Sequence, residues 1–490
     1  MKSGTPPVSW RSMRPNGEAR RNMKVTEGMK ITVLNGSPKG SLSITMQYVR
    51  YLEQQFPQHR ITILNVAQRI GRIVRDEETF LSIMEDVASS DGILWAFPLY
   101  VCLVPSQYKR FIELIRERKA EGAFAGKYTA VLTTSIHFFD HTAHRYMHAI
   151  CDDLDMKYAG MFSPDMHDLL DDKKRKDLLQ FAGEFFRAIE QGAVTAKTYP
   201  PLRYHPIVYR PGKAVSPIDS ADKKILLIAD YDGASPNLAS MVERFEKAIE
   251  GGIETVDLAD LNVKGGCLGC IKCGFDNICA YEGKDDYIEF YNQQVRRADI
   301  LVFAGAVRDR YLSWRWKQFF DRGFFNTHQP TLGGKQIGLL VAGPLTLIPN
   351  LREIFEAYAE WQGANLACCI TDEHDSAAKI DLLIQQCAER LIRLACINYV
   401  PPPTFLGVGG MKVFRDDIYG RLRFAFQADH RYYQRHGLYD FPQKNVRARK
   451  LNKTMIQMTK DPAMKEAIRK RFTLGMIEPF RRVLEKTEKQ

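Results

Sequence analysis

No stretch of this 490-residue chain approaches the roughly 20 consecutive apolar residues that a membrane helix needs, so no membrane span is expected. Low-complexity tracts are missing too, and so is the apolar core of a secretory signal. Met1–Lys30 is polar and basic, and it reads as a disordered extension over residues 1–29. Cytoplasm is the compartment this pattern predicts. The patterns G-x-G-x-x-G and H-E-x-x-H, P-loop spacing and a Ser-His-Asp set are also absent, which argues against hydrolysis and phosphoryl transfer. What is there is a globular composition, 45% hydrophobic and 26% charged, in a chain long enough for two domains.

From Lys30 onward, short β-branched runs alternate with amphipathic segments. The runs Ile31–Leu34, Ile61–Leu64, Gly92–Phe97, Tyr128–Thr133 and Lys157–Phe162 predict strands. Between the first two, Ile44, Tyr48, Val49, Leu52 and Phe56 recur at helical spacing. Such alternation predicts right-handed crossovers and a parallel sheet covered on both faces. After the proline-bearing stretch 199–222, which reads as a linker, the rhythm restarts. Ile225–Ala229, Glu254–Asp257, Ile300–Ala304, Gln336–Val341 and Asn365–Thr371 predict five more strands, so the chain reads as one unit written twice. The predicted domains are 30–198 and 223–400, each an α/β doubly wound parallel five-stranded sheet. Residues 401–490 read as a basic helical extension.

That extension holds most of the excess positive charge. From Phe441 onward there are fourteen Lys and Arg against five Asp and Glu. A basic tail can bind nucleic acid, anionic lipid or an acidic protein, or be a solvated helical face. No aromatic stacking platform accompanies it, so the solvated face is preferred and nucleic acid is not expected.

Strand one runs into Asn35-Gly36-Ser37-Pro38-Lys39-Gly40-Ser41-Leu42-Ser43-Ile44-Thr45 and then the helix. A turn of this kind aims backbone N–H groups and the positive helix end at one spot, and the hydroxyls and Lys39 suit a phosphate monoester. A Ser-capped helix after a glycine turn is the plain alternative. Strand three leads into Phe97-Pro98-Leu99-Tyr100-Val101, strand four into Thr134-Ser135-Ile136-His137. In a doubly wound sheet these loops meet where strands one and three diverge.

Asn-Gly-Ser-Pro-Lys at 35–39, and Pro-Leu-Tyr at 98–100 with Lys109 downstream, resemble the NADPH-dependent FMN reductases of the flavodoxin-like superfamily. The resemblance implies two tandem flavodoxin-like domains, the first holding FMN. Ser37, Lys39, Ser43 and Thr45 would hold the phosphate; Pro98, Leu99, Tyr100 and Val101 would contact the ring, with Thr134 and Ser135 on its other side. That family ends the loop in Asn-Thr, where this chain has Ser43-Ile44-Thr45. His137 would lie beside the flavin. His137, His141, His144 and His148 share one helical face, which raises a metal site as the less favoured alternative to packing and surface roles.

The second half differs where chemistry is expected. Its first loop carries Asp230 and Asp232, with no Lys to answer them, so it is not expected to bind a phosphate. Four of the ten cysteines crowd one segment: Cys267, Cys270, Cys273 and Cys279. Cytosolic cysteines at such compact spacing suit a [4Fe–4S] cluster; zinc and unmetallated thiols are the alternatives. With Lys284-Asp285-Asp286 downstream, the pattern resembles iron–sulfur flavoproteins, which implies all four as ligands. In that family flavin and cluster motifs share one domain and the two sites meet across a dimer interface. Here they are split, so the tandem chain, or a homodimer of it, would bring them together. The other cysteines, Cys151, Cys368, Cys369, Cys387 and Cys396 among them, read as small core residues.

The function so implied is a cytoplasmic FMN-dependent oxidoreductase passing electrons from NAD(P)H or ferredoxin to an acceptor the sequence does not name. Two alternatives stand beside it: an NAD(P)H-dependent FMN or quinone reductase without a cluster, and a non-catalytic flavin-bound carrier.

Overall fold

The computed structural model describes residues 28–213, 216–231 and 235–487. The expected N-terminal extension lies outside them apart from Gly28 and Met29. Two five-stranded parallel sheets form, each from its own half. The first contains β1 (Lys30–Asn35), β2 (Arg60–Leu64), β3 (Gly92–Pro98), β4 (Tyr128–Thr134) and β5 (Lys157–Phe162), in the order β2-β1-β3-β4-β5. The second contains β6 (Ile225–Ala229), β7 (Ile253–Asp257), β8 (Ile300–Ala306), β9 (Gln336–Ala342) and β10 (Asn365–Thr371), in the equivalent order β7-β6-β8-β9-β10. This is the flavodoxin-like arrangement, with its switch point between the first and third strands of each half. Central strands are buried along nearly their whole length, as in β3, because helices cover both faces.

The helices that matter below are α1 (Ile44–Gln55), α2 (Ser106–Glu117), α3 (Asp140–Asp153), α4 (Asp172–Glu190), α5 (Pro236–Glu246), α6 (Trp314–Arg322), α7 (Pro349–Trp361) and α8 (Ala377–Cys396). Ile31, Val33, Val49, Leu52, Leu132 and Phe185 fill one face of the first sheet. Leu227, Val302, Leu340, Ile384 and Leu391 do so in the second. From the third strand to the fifth, the two halves keep a constant offset along the chain. Gly92 and Ile300, Tyr128 and Gln336, Lys157 and Asn365 open matching strands, and Ser106 and Trp314 open matching helices. Those helices, α2 and α6, pack against each other and join the halves. Trp316 on α6 is fully buried.

Cys151 and Cys102 are buried core residues. Three others correct that reading: Cys368 on β10 is disulfide-bonded to Cys387 on α8, and Cys396 is exposed. No helix among the described residues is long and apolar enough to cross a membrane.

The chain divides into two compact units after Val413. The basic extension expected from residue 401 therefore begins in the first unit. In the second, Arg415 pairs with Asp440 at 2.7 Å and His430 Nδ1 hydrogen-bonds Tyr439 Oη at 2.7 Å. Its helices Val446–Met458 and Pro462–Thr487 are solvated, with Leu451, Ile456, Phe472 and Phe480 exposed.

Candidate functional site

The loop after β1 is built around close approaches. A side chain at Gly36 would run into Tyr108 and Phe97, and Gly40 takes a left-handed φ of 58°. The Ser37 N–H donates to Asn35 Oδ1 at 2.9 Å, the Lys39 N–H to Ser37 Oγ at 3.3 Å and the Gly40 N–H to Ser37 O at 3.0 Å. Ser43 caps α1, its Oγ accepting the Met46 N–H at 3.2 Å. Thr45 Oγ1 bonds Thr134 Oγ1 at 2.7 Å and so ties this loop to the end of β4. Ser37 and Ser43 each keep an O–H to donate. The α1 N-terminus adds its first N–H groups, and Lys39 adds a charge. That donor set fits a phosphate.

After β3 the chain makes a tight turn. Leu99 N–H donates to Thr134 O at 3.2 Å, while Tyr100 and Leu103 exchange backbone bonds of 2.9 and 3.0 Å. Inside the turn Val101 has φ 36° and Cys102 φ 63°, left-handed values that a β-branched residue rarely takes. Thr142 Oγ1 on α3 donates to Cys102 O at 2.5 Å, and Lys317 Nζ on α6 donates to Tyr100 O at 2.8 Å. Beyond β4, the His137 N–H bonds Ser135 Oγ at 2.9 Å, and its ring Nδ1 meets Asp140 at 2.9 Å. That bond raises the His137 pKa, working against burial. Burial pushes Asp140 up, but hydrogen bonds from His137 and Ser163 outweigh it and bring the carboxyl down to about 2.

The four histidines part company. His141 meets Glu353 on α7 at 2.6 Å, and His148 stacks on Tyr158 at 3.7 Å. His144 is buried, and neither ring nitrogen has a partner among the described residues. Its burial lowers it to about 4, with Asp140 working the other way.

In the second half, the segment between β7 and Asp286 folds into a compact loop. Gly269, Ile271 and Asn277 adopt left-handed φ values of 62°, 58° and 64°, and the Asn277 N–H closes on Cys273 O at 2.8 Å. Cys267, Cys270, Cys273 and Cys279 all line one cavity of about 20 Å³, walled by Leu268, Ile271, Phe324 and Phe325. Burial pushes the Cys267 thiol up to about 12 and raises Cys273 as well. Arg322 also borders the cavity and is held by a two-pronged pair with Asp285 at 2.7 and 2.9 Å. Asp285 is thus a partner for a buried arginine, while Asp286 opens the next helix without a side-chain cap.

Two buried donors at this loop lack partners among the described residues: Arg322 Nε and Tyr100 Oη. Tyr100 belongs to the first half and lies directly against Gly269, where a Cβ would sit 1.8 Å from its Oη. Gln107 Nε2 donates to Cys267 O at 3.1 Å. Burial lowers the Lys39 pKa, and the charges of Cys267 and Cys270 raise it, so both thiols lie within electrostatic reach of that ammonium. The cysteine loop of one half therefore rests on the loops that follow β1 and β3 in the other. Four thiols beside two unpaired donors fit an anionic, sulfur-rich group. No set of three or more His, Cys, Asp or Glu among the described residues is arranged to hold a single metal ion.

The second half's own switch point is different. Asp230 is buried, accepts the Ser313 hydroxyl and meets Arg315 at 3.3 Å, so a cation does answer it, contrary to the sequence reading. Asp232 lies outside the described residues. The linker crosses this end of the sheet, with Asn237 Nδ2 donating to Ile207 O and to Asp372 at 2.9 Å each. Beside it is a cleft of about 320 Å³ lined by Val208, Ser235, Val307 and Pro344. Neither this linker crossing nor the left-handed turn at Val101 was visible in residue types.

Fold and loops together define a flavodoxin-like protein whose first switch point carries donors that would suit a phosphate. Residues 29–160, within the first half, match the family model described as NADPH-dependent FMN reductase, and that similarity supports a flavin-dependent oxidoreductase. Among similar solved structures is a flavoenzyme NAD(P)H:(acceptor) oxidoreductase from Paracoccus denitrificans, 19% identical, covering 33% of this chain and 98% of its own, at a TM-score of 0.26. Another is an FMN-dependent NADH-azoreductase from Bacillus anthracis in complex with FMN, 15% identical, covering 34% and 100%, at a TM-score of 0.25. A third is an oxidoreductase from Corynebacterium diphtheriae, 13% identical, covering 34% and 99%, at a TM-score of 0.28. No curated protein matches the chain.

Proposed function

We propose that this chain moves electrons between FMN in its first half and a [4Fe–4S] cluster on Cys267, Cys270, Cys273 and Cys279 in its second. The observation that carries the reading is the contact of Gly269 with Tyr100, which sets the four-thiol loop against the ring loop within one chain.

Ser37, Lys39, Ser43 and Thr45, with the α1 N-terminus, would hold the phosphate. Pro98, Leu99, Tyr100 and Val101 would border the ring on one side, and Thr134, Ser135 and His137 on the other. FMN, when bound, supplies the exchange between two-electron and one-electron chemistry, and a cluster supplies one-electron transfer. The chain's own residues do the rest. Lys39 offsets anionic charge on either side of it. Tyr100 Oη and Arg322 Nε, both buried without partners among the described residues, would be available to donate to an anionic group held there, which would lower the cost of its negative charge. Leu268, Ile271, Phe324 and Phe325 give the thiols apolar walls, while Cys270 stays exposed at the rim. His137 and Asp140 form a half-exposed pair able to hold a proton beside the ring.

The donor in this reading is NAD(P)H or ferredoxin, and the contact of α2 with α6 does within one chain what a homodimer interface would do. Four thiols kept reduced are consistent with the cytoplasm. A second reading, an NAD(P)H-dependent FMN or quinone reductase with free thiols, draws on the raised thiol pKa values of Cys267 and Cys273. Anaerobic purification with a visible spectrum and iron and sulfide analysis separates them. Flavin bands with about four irons per chain support the cluster. Flavin without iron leaves the second reading, and a colourless protein rejects both.

A further inference from the structure

The turn that would border the flavin is strained and is held from the other half of the chain. Val101 and Cys102 are left-handed, and two backbone bonds between Tyr100 and Leu103 close the turn around them. Lys317, wholly buried on α6, reaches over and donates to Tyr100 O at 2.8 Å. Its ammonium is anchored by Asp321, one turn along the same helix and equally buried. The other oxygen of Asp321 accepts the Ser106 N–H at 2.8 Å, where α2 begins just beyond the turn. One buried ion pair thus grips both ends of the segment 100–106.

The duplication supplies an internal control. Lys109 occupies the place in α2 that Lys317 has in α6, and it crosses in the opposite direction to Asp309 at 2.9 Å. Asp309 sits in the matching turn of the second half, closed by the Arg308 N–H on Tyr311 O at 3.0 Å. No residue of that turn is left-handed among the described residues. Both halves send a lysine across, yet only the turn next to the phosphate cradle carries strain. Left-handed β-branched residues persist only where their surroundings over-determine them.

We infer that Lys317, anchored by Asp321, is a positioning residue that holds Tyr100–Leu103 in its strained form, so that flavin binding by the first half depends on the second. The inference rests on the flavin reading above. It assigns a role in cofactor binding to a residue far from the phosphate loop in sequence.

The test is FMN titration of the full-length apoprotein, read as quenching of flavin fluorescence, with thermal melts alongside. Lys317→Met is expected to weaken FMN about tenfold, the worth of one buried charge-assisted hydrogen bond. Adding Val101→Gly, which removes the steric objection to a left-handed φ, recovers most of that loss without raising the melting temperature to the wild-type value. A simple packing defect at Lys317 would not be repaired at Val101. If Lys317→Met does not fold, Asp321→Asn, which can still accept from Ser106, carries the same comparison. Unchanged FMN affinity in the lysine or asparagine variant overturns the inference, and so does a loss that Val101→Gly leaves untouched. A wild-type chain that takes up no FMN overturns the flavin reading itself, and this inference with it.

Discussion

Glu113 and Asp321 each cap the helix that carries the other. The Trp314 N–H donates to Glu113 at 2.8 Å, and the Ser106 N–H donates to Asp321 at 2.8 Å. Each carboxylate also pairs with a lysine one turn earlier on its own helix, Lys109 or Lys317. The two halves are therefore locked by reciprocal, largely buried polar contacts, and removing one partner strands the other in low dielectric.

Glu113→Ala should accordingly cost roughly 3 kcal/mol, since Lys109 keeps Asp309 but loses its nearer partner and Trp314 loses its cap. Urea unfolding followed by tryptophan fluorescence would show the loss. A change under about 0.5 kcal/mol, the size of an ordinary surface effect, would mean the contact does not hold the halves together.

Gly269→Ala places a methyl group on Tyr100 Oη in a backbone conformation that disfavours any side chain. We expect a loss of about 2 kcal/mol from strain and overpacking together. Tyr100→Ala should absorb the steric part, so the double variant is less destabilised than the sum of the single ones. Strict additivity in that cycle would contradict the contact between the two halves.

Lys39→Ala should weaken FMN by about tenfold while leaving riboflavin binding nearly unchanged, because riboflavin lacks the phosphate. Parallel fluorescence titrations of the two flavins decide it. Equal losses for both would move Lys39 away from the phosphate.

His144 gives the chain an acid-side weakness. Burial lowers its pKa to about 4, below the 6.5 of an unfolded histidine, so between these values the unfolded chain binds the extra proton. The neighbouring charges are Asp140, which opposes the shift, and His141, which adds to it. Stability from this group is complete above about pH 6.5 and declines as pH falls toward 4, by roughly 3 kcal/mol in all. Urea melts at pH 7 and pH 5 should differ less in His144→Phe than in the wild type. Equal differences would remove His144 as the cause.

Much of this fold was legible because a strand buried on both faces must be an apolar run. β3 and β6 lie within a residue of where such runs placed them, and the partly buried edge strands β5 and β10 were placed as closely. The loops after β1, β3 and β4 were legible for the same reason, since a doubly wound sheet brings those strand ends together. What stayed hidden depends on contacts between distant segments. Nothing about Val101 as a residue type announces a left-handed backbone, and nothing about Lys317 points to Tyr100. The pairing of Cys368 with Cys387 joins a strand to a helix, and Arg315 answers Asp230 from beyond β8. His144 looked like one of four on a helical face, and only packing around α3 separated it from the others.

The duplication has one more consequence. In a homodimer every substitution arrives twice, so a surface that improves one subunit's cofactor loop must be tolerated by an identical loop on the other. Once the copies are fused, each can drift alone: one has Ser37 and Lys39 after its first strand, while its twin has Asp230 and a crossing linker there and gains four cysteines after its second strand. Covalent fusion also makes their pairing indifferent to dilution, so a scarce protein would keep its two halves together as reliably as an abundant one.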